Sequence, residues 1–276
     1  MLIGERVQYY LAKFFPTHRL THEKGYRVAI FHSIESSHNF EEIIKFLRDH
    51  CTIIRPDTGI ENHKGQAGEC PLVISFDDGL LSQFTEGLEV LEKYGIKGLF
   101  FIPTKILFLK SPEEEMDFAV KNIHFEVPKN LREYRFMKPE MIKELHDLGH
   151  VIGSHSVNHV RFNGIDLETA VYELEESRRH LNQLLGEDVK FFAFPKGDRK
   201  SVDPGILPLV NKFYTYGFSA IRGWNNENTP RCFLHRDPIN LYYPFDFIER
   251  ILQGSLDWYF SIKNRYFLLG KNACNL

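Results

Sequence analysis

Short apolar runs alternate along the chain with segments of helical periodicity, and this alternation constrains the fold more than any other feature. Runs rich in β-branched and aromatic residues predict strands at 27–32, 52–54, 72–76, 97–102, 151–154, 190–194, 216–221 and 232–234. The segments between them predict helices at 39–50, 82–94, 139–148, 166–185 and 204–213. Repeated strand–helix units predict an α/β fold, in which a parallel sheet has its helices outside. The number of units favours closure into a barrel.

One long segment interrupts this alternation. Residues 104–138 separate a predicted strand from the next helix, although Ser111 and Pro112 are typical of a helix start within it. Connections of this length in a compact domain are usually functional, so we expect 104–138 to be an insertion that borders a binding cleft. The chain contains no linker, repeat or low-complexity tract. It is therefore interpreted as one domain, 1–276, with an N-terminal helical extension at 1–26.

Charge and hydropathy exclude some classes of partner. The net charge of −3 gives no basis for binding nucleic acid. No run approaches the roughly 20 apolar residues that span a bilayer, and the N-terminus does not resemble a signal peptide, so a cytoplasmic protein is expected. Apolar residues recur at helical spacing near the N-terminus, at Leu2, Val7, Tyr10, Leu11 and Phe14. They predict a docked amphipathic helix, with peripheral membrane contact as the alternative. The oligomeric state cannot be predicted.

Two adjacent carboxylates follow the most apolar predicted strand. The run 72–76 has apolar residues on both faces, which is typical of a buried parallel strand, and it ends at Asp77, Asp78 and Gly79. Successive strand side chains point in opposite directions, so both carboxylates can share one site only if the chain turns there, which Gly79 permits. Buried unpaired carboxylates are costly, so we expect a cation beside them. A simple Asp-Asp-Gly turn is the alternative.

Two histidines follow another predicted strand at the same expected edge. His155 and His159 come after the strand 151–154, and imidazoles four residues apart can bind one metal if the chain begins a helical turn. The spacing alone is weak, because the pairs His18/His22 and His146/His150 share it. Only His155 and His159 follow a strand at the carboxyl edge, where active-site residues of such folds gather.

These motifs resemble those of a known family. Phe76–Gly79, followed by His155 and His159, is similar to the first two motifs of the polysaccharide deacetylases, carbohydrate esterase family four. The third motif is recognisable at 194–197, and the resemblance covers roughly residues 27–240. It implies a distorted (β/α) barrel of about seven or eight strands.

The resemblance also implies roles for individual residues. Asp78, His155 and His159 would bind a divalent metal, and Asp77 would be the general base. Two imidazoles and one carboxylate suit zinc, although cobalt, nickel, iron and manganese are not excluded. Lys196 stands where the family has a tyrosine whose backbone N–H contacts the oxyanion, and its own N–H could serve.

Two family positions are occupied differently in this chain. Ala193 stands where many members have an arginine beside the catalytic aspartate. Arg236 resembles the arginine of a related subgroup and is our candidate for its replacement. Arg222 and Arg231 are rivals, and the alternative for each is a surface ion pair.

The family's last motif supplies a general acid histidine near the C-terminus, but no histidine follows His235. At the N-terminus, the apolar run 28–31 ends at His32, which resembles the branch of the family that deacetylates poly-N-acetylglucosamine and has this motif moved to the front. His32 is therefore assigned as the general acid. A satisfied core histidine and a role for His235 instead are the alternatives.

The resemblance implies a metal-dependent hydrolase that removes the N-acetyl group from an amino sugar and releases acetate. The sugar would belong to a surface polysaccharide or its precursor. A catalytically inactive carbohydrate-binding protein on the same fold and a hydrolase of another N-acyl sugar, such as N-formyl, are the alternatives. The sequence identifies neither the sugar nor its linkage.

Overall fold

A computed structural model describes residues 3–14, 25–62, 69–123 and 134–263. The strands are β1 (Arg27–Phe31), β2 (Thr52–Ile53), β3 (Pro71–Phe76), β4 (Leu99–Ile102), β5 (Val151–Ser154), β6 (Phe191–Ala193), β7 (Tyr216–Phe218) and β8 (Asp237–Pro238). The α-helices are α1 (Ile3–Phe14), α2 (Ser37–His50), α3 (Pro56–Asn62), α4 (Leu88–Lys93), α5 (Pro112–Phe118), α6 (Pro139–Asp147), α7 (Leu167–Leu185), α8 (Leu207–Phe213), α9 (Phe245–Leu252) and α10 (Asp257–Lys263). Short 3-10 helices lie at Thr104–Phe108, Pro204–Ile206 and Arg231–Phe233, and π-helices at Gln83–Gly87 and Ala119–Ile123.

The strands form one parallel sheet in the order β7-β6-β5-β4-β3-β1-β8, and β2 pairs with β3 outside this path. Every residue of β1, β3 and β4 is buried. Strands covered on both faces need apolar residues at consecutive positions, which is why these runs do not alternate with polar residues.

The sheet curls until its two ends meet. Leu234 bridges to Phe218 in β7, and a few residues later β8 pairs with β1. The same short stretch thus joins both edges of the sheet, and the predicted distorted (β/α) barrel is confirmed. The predicted strand at 232–234 is wrong, because Arg231–Phe233 is a 3-10 helix and the strand comes at Asp237–Pro238. A short apolar run does not by itself distinguish a strand from a buried helical turn.

The predicted helices are present, with local differences. Asp166 caps α7 by accepting a hydrogen bond from the Thr169 N–H at 2.7 Å, and Gly186 ends it at φ 75°. The predicted helix at 82–94 begins with the wider π-helix Gln83–Gly87 before it becomes α4. The helices α3, α9 and α10 were not predicted.

The N-terminal helix α1 packs against α9 only partly through the predicted face, of which Leu11 contacts the core and Leu2 lies outside the described residues. The Tyr9 ring contacts Phe247 and its hydroxyl donates to Asp246 at 3.0 Å, and Ala12 is fully buried. Val7 and Tyr10, which were expected to dock, are exposed. Within the described ranges, no helix has the length and apolar character needed to cross a membrane.

Candidate active site

The polar residues singled out in the sequence lie where neighbouring strands end. Phe31 at the end of β1 pairs in register with Phe76 at the end of β3, so His32 and Asp77 leave adjacent strands at the same level. Ile102 of β4 pairs with Ser154 of β5, immediately before His155. The parallel sheet therefore brings the aspartate and histidine motifs to one edge of the barrel.

Local backbone strain accompanies this edge. Among the residues that the structure describes, four non-glycine residues have left-handed backbone conformations: Asp78 (φ 74°), Ser156 (64°), His159 (55°) and Lys196 (63°). Each such conformation costs on the order of 1–3 kcal/mol and tends to occur at functional sites. The left-handed conformations of Asp78 and Gly79 make the turn that lets both carboxylates face one site.

Three potential metal ligands converge at this edge. One ligand atom from each of Asp78, His155 and His159 lies within 4.8 Å of the others, and all three residues are buried. Asp78 Oδ1 lies 3.2 Å from His159 Nε2 and 3.6 Å from His155 Nε2. Two ligands held at about 2.1 Å by one tetrahedral ion would be about 3.4 Å apart, so the spacing fits a divalent ion.

Hydrogen bonds orient both imidazoles toward that point. Nδ1 of His155 lies 2.8 Å from the Ala193 carbonyl, and Nδ1 of His159 lies 2.9 Å from the Asn122 carbonyl. Because a carbonyl only accepts, each Nδ1 carries a proton, and each Nε2 faces Asp78. Burial lowers the pKa of His155 to about 4, so its imidazole is neutral at pH 7. Oriented imidazoles beside a carboxylate are suitable zinc ligands.

Asp77 is held by Arg236 rather than by the triad. Arg236 donates from Nη1 to Oδ1 of Asp77 at 2.7 Å and from Nη2 to Oδ2 at 2.8 Å, and its Nε donates to the Ser219 carbonyl. Burial alone would raise the pKa of Asp77, but Arg236 and then His155 lower it, and the net pKa lies below its ordinary value. Asp77 is thus ionised at neutral pH.

The rival arginines lie elsewhere. Arg222 is buried beside Asp237, with Nη1 and Oδ1 3.8 Å apart, and its Nε donates to Gln8. Arg231 is exposed, with its guanidinium over the Tyr216 ring.

The two candidate acids have different surroundings. His32 is exposed at the site edge, so it is not a core histidine, and its carbonyl accepts a hydrogen bond from Gln83 Nε2 at 3.0 Å. The same amide donates to the Asp77 carbonyl at 2.5 Å, which ties together the ends of β1 and β3. The ring of His235 packs over Gly223, and its backbone bonds Asn225.

Lys196 lies in a tight loop after β6. The next residue, Gly197, has φ 57°, and a Cβ there would lie 2.5 Å from the Ala220 nitrogen, so only glycine fits. The Lys196 ammonium donates to the Ile123 carbonyl at 2.7 Å. Burial lowers the pKa of Lys196, and the nearby Asp78 opposes that shift.

Sequence reasoning missed three residues that support the site. No sequence pattern points to Gln83 or Asn122, because their roles depend on contacts across the fold. Glu173 did give a signal, since it lies on the buried face of α7, where an unpaired carboxylate would be costly. Its Oε2 accepts from the Val157 and Asn158 N–H groups, both at 2.8 Å, and so fixes the turn between His155 and His159.

Comparisons with known proteins point to one family. The family model for polysaccharide deacetylase matches residues 64–203, just over half of the chain. YxkH of Bacillus subtilis, which is named after the same family, is 22% identical over 181 residues. That match covers 62% of this chain and 56% of YxkH, so the chain spans about half the length of this relative.

Solved structures share the fold. The Streptococcus pyogenes deacetylase PplD, in complex with acetate, matches with a TM-score of 0.65 and 14% identity, over 84% of this chain and 99% of PplD. A de-N-acetylase from Aggregatibacter actinomycetemcomitans matches with a TM-score of 0.64 and 16% identity, over 82% of this chain and 99% of that protein.

Proposed function

Because this chain belongs to the polysaccharide deacetylase family, we propose that it is a metal-dependent hydrolase that removes the N-acetyl group from an amino sugar and releases acetate. The convergence of Asp78, His155 and His159 beside an ionised Asp77 is the observation that carries this proposal. The amino sugar would belong to a surface polysaccharide or its precursor.

Asp78, His155 and His159 would hold the divalent ion, with zinc as the first candidate. When bound, the ion would polarise the acetamido carbonyl and lower the pKa of water. The chain contributes the orientation of the ligands: carbonyls fix the tautomer of both imidazoles, and Glu173 fixes the turn between them.

The remaining roles follow from position and charge. Asp77 would accept the proton of the water that attacks the acyl carbon, and Arg236 holds its carboxylate in place. The backbone N–H of Lys196 would donate to the acyl oxygen as negative charge develops there. His32 would protonate the amine as the carbon–nitrogen bond breaks.

The assignment of His32 gives a first test. A departing amine must gain a proton, so His32→Ala should lower kcat by about 10²-fold or more while the fold and metal content are unchanged. Steady-state kinetics and metal analysis would measure both. His235→Ala is the matched control and should be much milder, because the His235 ring packs over Gly223. Near-normal turnover in His32→Ala with a large loss in His235→Ala would show that His235 is the acid.

The Arg236–Asp77 pair gives a second test. Arg236 lowers the pKa of Asp77, so Arg236→Met should raise that pKa and move the acidic limb of the pH–rate profile toward higher pH. Because Asp77 must be ionised to act, activity would then disappear at a higher pH than in the wild type. The buried carboxylate left unpaired should also cost about 3–5 kcal/mol of stability. Arg236→Lys keeps the positive charge, so its acidic limb should move less. An acidic limb that stays at its wild-type pH in Arg236→Met would show that Arg236 does not lower the pKa of Asp77.

The substrate can be identified directly. The protein would be incubated with N-acetyl and N-formyl amino sugars in free, nucleotide-linked, lipid-linked and polymeric form, and released acetate and formate would be measured. Acetate from an N-acetyl sugar would support the proposal. Formate alone would indicate a different acyl group, and binding without either product would indicate a carbohydrate-binding protein without activity.

A further inference from the structure

The insertion contributes a helix end to the metal site. Helix α5 continues into the π-helix Ala119–Ile123, and we call residues 112–123 the insertion helix. It ends beside His159, although the sequence predicted only a border of the cleft for this segment.

Three hydrogen bonds connect the end of the insertion helix to the site. The Asn122 carbonyl accepts from His159 Nδ1 at 2.9 Å, and the Asn122 side-chain amide donates to the Asn158 carbonyl at 2.8 Å. The Ile123 carbonyl accepts from the Lys196 ammonium at 2.7 Å. The end of the insertion helix is therefore hydrogen-bonded to the proposed ligand His159, to Asn158 before it, and to Lys196 in the loop after β6.

A helix C-terminus is suited to this task. Its last carbonyls have no partner within the helix, and they carry the negative end of the helix dipole. Such carbonyls accept hydrogen bonds from donors such as an imidazole N–H or an ammonium.

The insertion helix is itself held in place. Phe118, Ala119 and Ile123 are buried in the core. The buried Glu115 carboxylate accepts from Arg135 Nε at 2.7 Å, from the Lys138 ammonium at 2.5 Å and from the Phe136 N–H at 3.2 Å. The carbonyl that contacts His159 is therefore positioned before any metal binds.

We propose that the C-terminal turn of the insertion helix, through Asn122, positions His159 as a metal ligand and thereby sets the affinity of the site for the ion. This inference rests on the proposed function, because it assumes that His159 is a ligand. Asn122 acts through His159 and is a positioning residue. Its carbonyl keeps the proton of His159 on Nδ1, and its side chain holds the backbone that carries the ring.

The first experiment measures metal affinity. Zn²⁺ would be titrated into metal-free full-length protein in competition with a chromophoric chelator. Asn122→Ala removes the tie to Asn158, and its Zn²⁺ affinity should fall at least about tenfold, as is usual when the support of a metal-binding histidine is lost. Lys121→Ala is the matched control, because Lys121 is the adjacent residue and its exposed ammonium pairs with Asp117. Its affinity should equal that of the wild type.

The second experiment reports the orientation of the ring independently of activity. Nitrogen-15 NMR of histidine-labelled, metal-free wild type, recorded at a pH where the His159 imidazole is neutral, should show its proton on Nδ1. In Asn122→Ala the two tautomers should mix, while the thermal unfolding midpoint remains near that of Lys121→Ala. If the variant fails to fold, the wild-type spectrum still decides, because a neutral His159 with its proton on Nε2 would overturn the inference.

The outcomes separate this inference from the proposed function. Wild-type protein that binds no Zn²⁺ would contradict the proposed function itself. Wild-type protein that binds Zn²⁺, together with an Asn122→Ala variant of equal affinity, would contradict only the role of the insertion helix.

Discussion

Replacing Asp77 with asparagine is expected to lower kcat by about 10³-fold or more, while metal content and fold are retained. The amide has nearly the shape of the carboxylate but cannot accept the proton of the attacking water, and loss of a general base costs about 10²–10⁴-fold. The large value is expected because Asp77 is buried and ionised through Arg236, and no other proposed role in the site supplies this function. Steady-state kinetics with metal analysis on the same sample would measure the effect.

The control for this substitution is the same chemical change at a site remote from the chemistry. Asp166 caps α7 with one oxygen, and asparagine caps a helix about as well, so Asp166→Asn should keep wild-type turnover. Near-normal kcat in Asp77→Asn would rule out Asp77 as the base.

Replacing His155 with alanine should remove metal and activity together. His155 is almost fully buried, its Nε2 points toward Asp78, and the change leaves two of three proposed ligands. Structural and catalytic zinc sites use at least three protein ligands, so the metal content should fall from about one per chain to near zero. Elemental analysis of the purified protein, alongside kinetics, would test this.

His146→Ala is the matched control for the His155 variant. His146 belongs to a pair with the same four-residue spacing, but it lies in α6 and pairs with Glu187. It should retain both metal and activity. Full metal content in His155→Ala would contradict the proposed ligand set.

Much of the fold could be predicted from local patterns. The strands β1, β3 and β5 were placed within a residue or two, because buried parallel strands need continuous apolar runs. The helix predicted at 166–185 agrees with α7, because Asp166 and Gly186 have the local chemistry of helix caps. The last strand was misplaced at 232–234, because the position of β8 depends on its pairing with β1 rather than on any local signal.

The residues of the candidate site also differ in how far the sequence could predict them. Asp77, Asp78, His155 and His159 follow strands, so the topology of a parallel sheet was sufficient to expect them at one edge. The resemblance had made Arg236 the candidate, but its contact with Asp77 required the structure, because residues far apart in sequence meet only when the barrel closes. Asn122 was missed for a related reason: its carbonyl and its side-chain amide meet His159 and Asn158 only in the folded chain.

Acetate release by metal-free and metal-restored protein is the direct test of metal-dependent deacetylation. Wild-type chain would be stripped with a chelator, assayed with the N-acetyl sugar panel, and assayed again after one equivalent of Zn²⁺ is added. We expect no acetate from the stripped protein, and restored release with one free amine formed per acetate. Equal acetate release with and without metal, or none from any N-acetyl sugar in the restored protein, would contradict metal-dependent deacetylation.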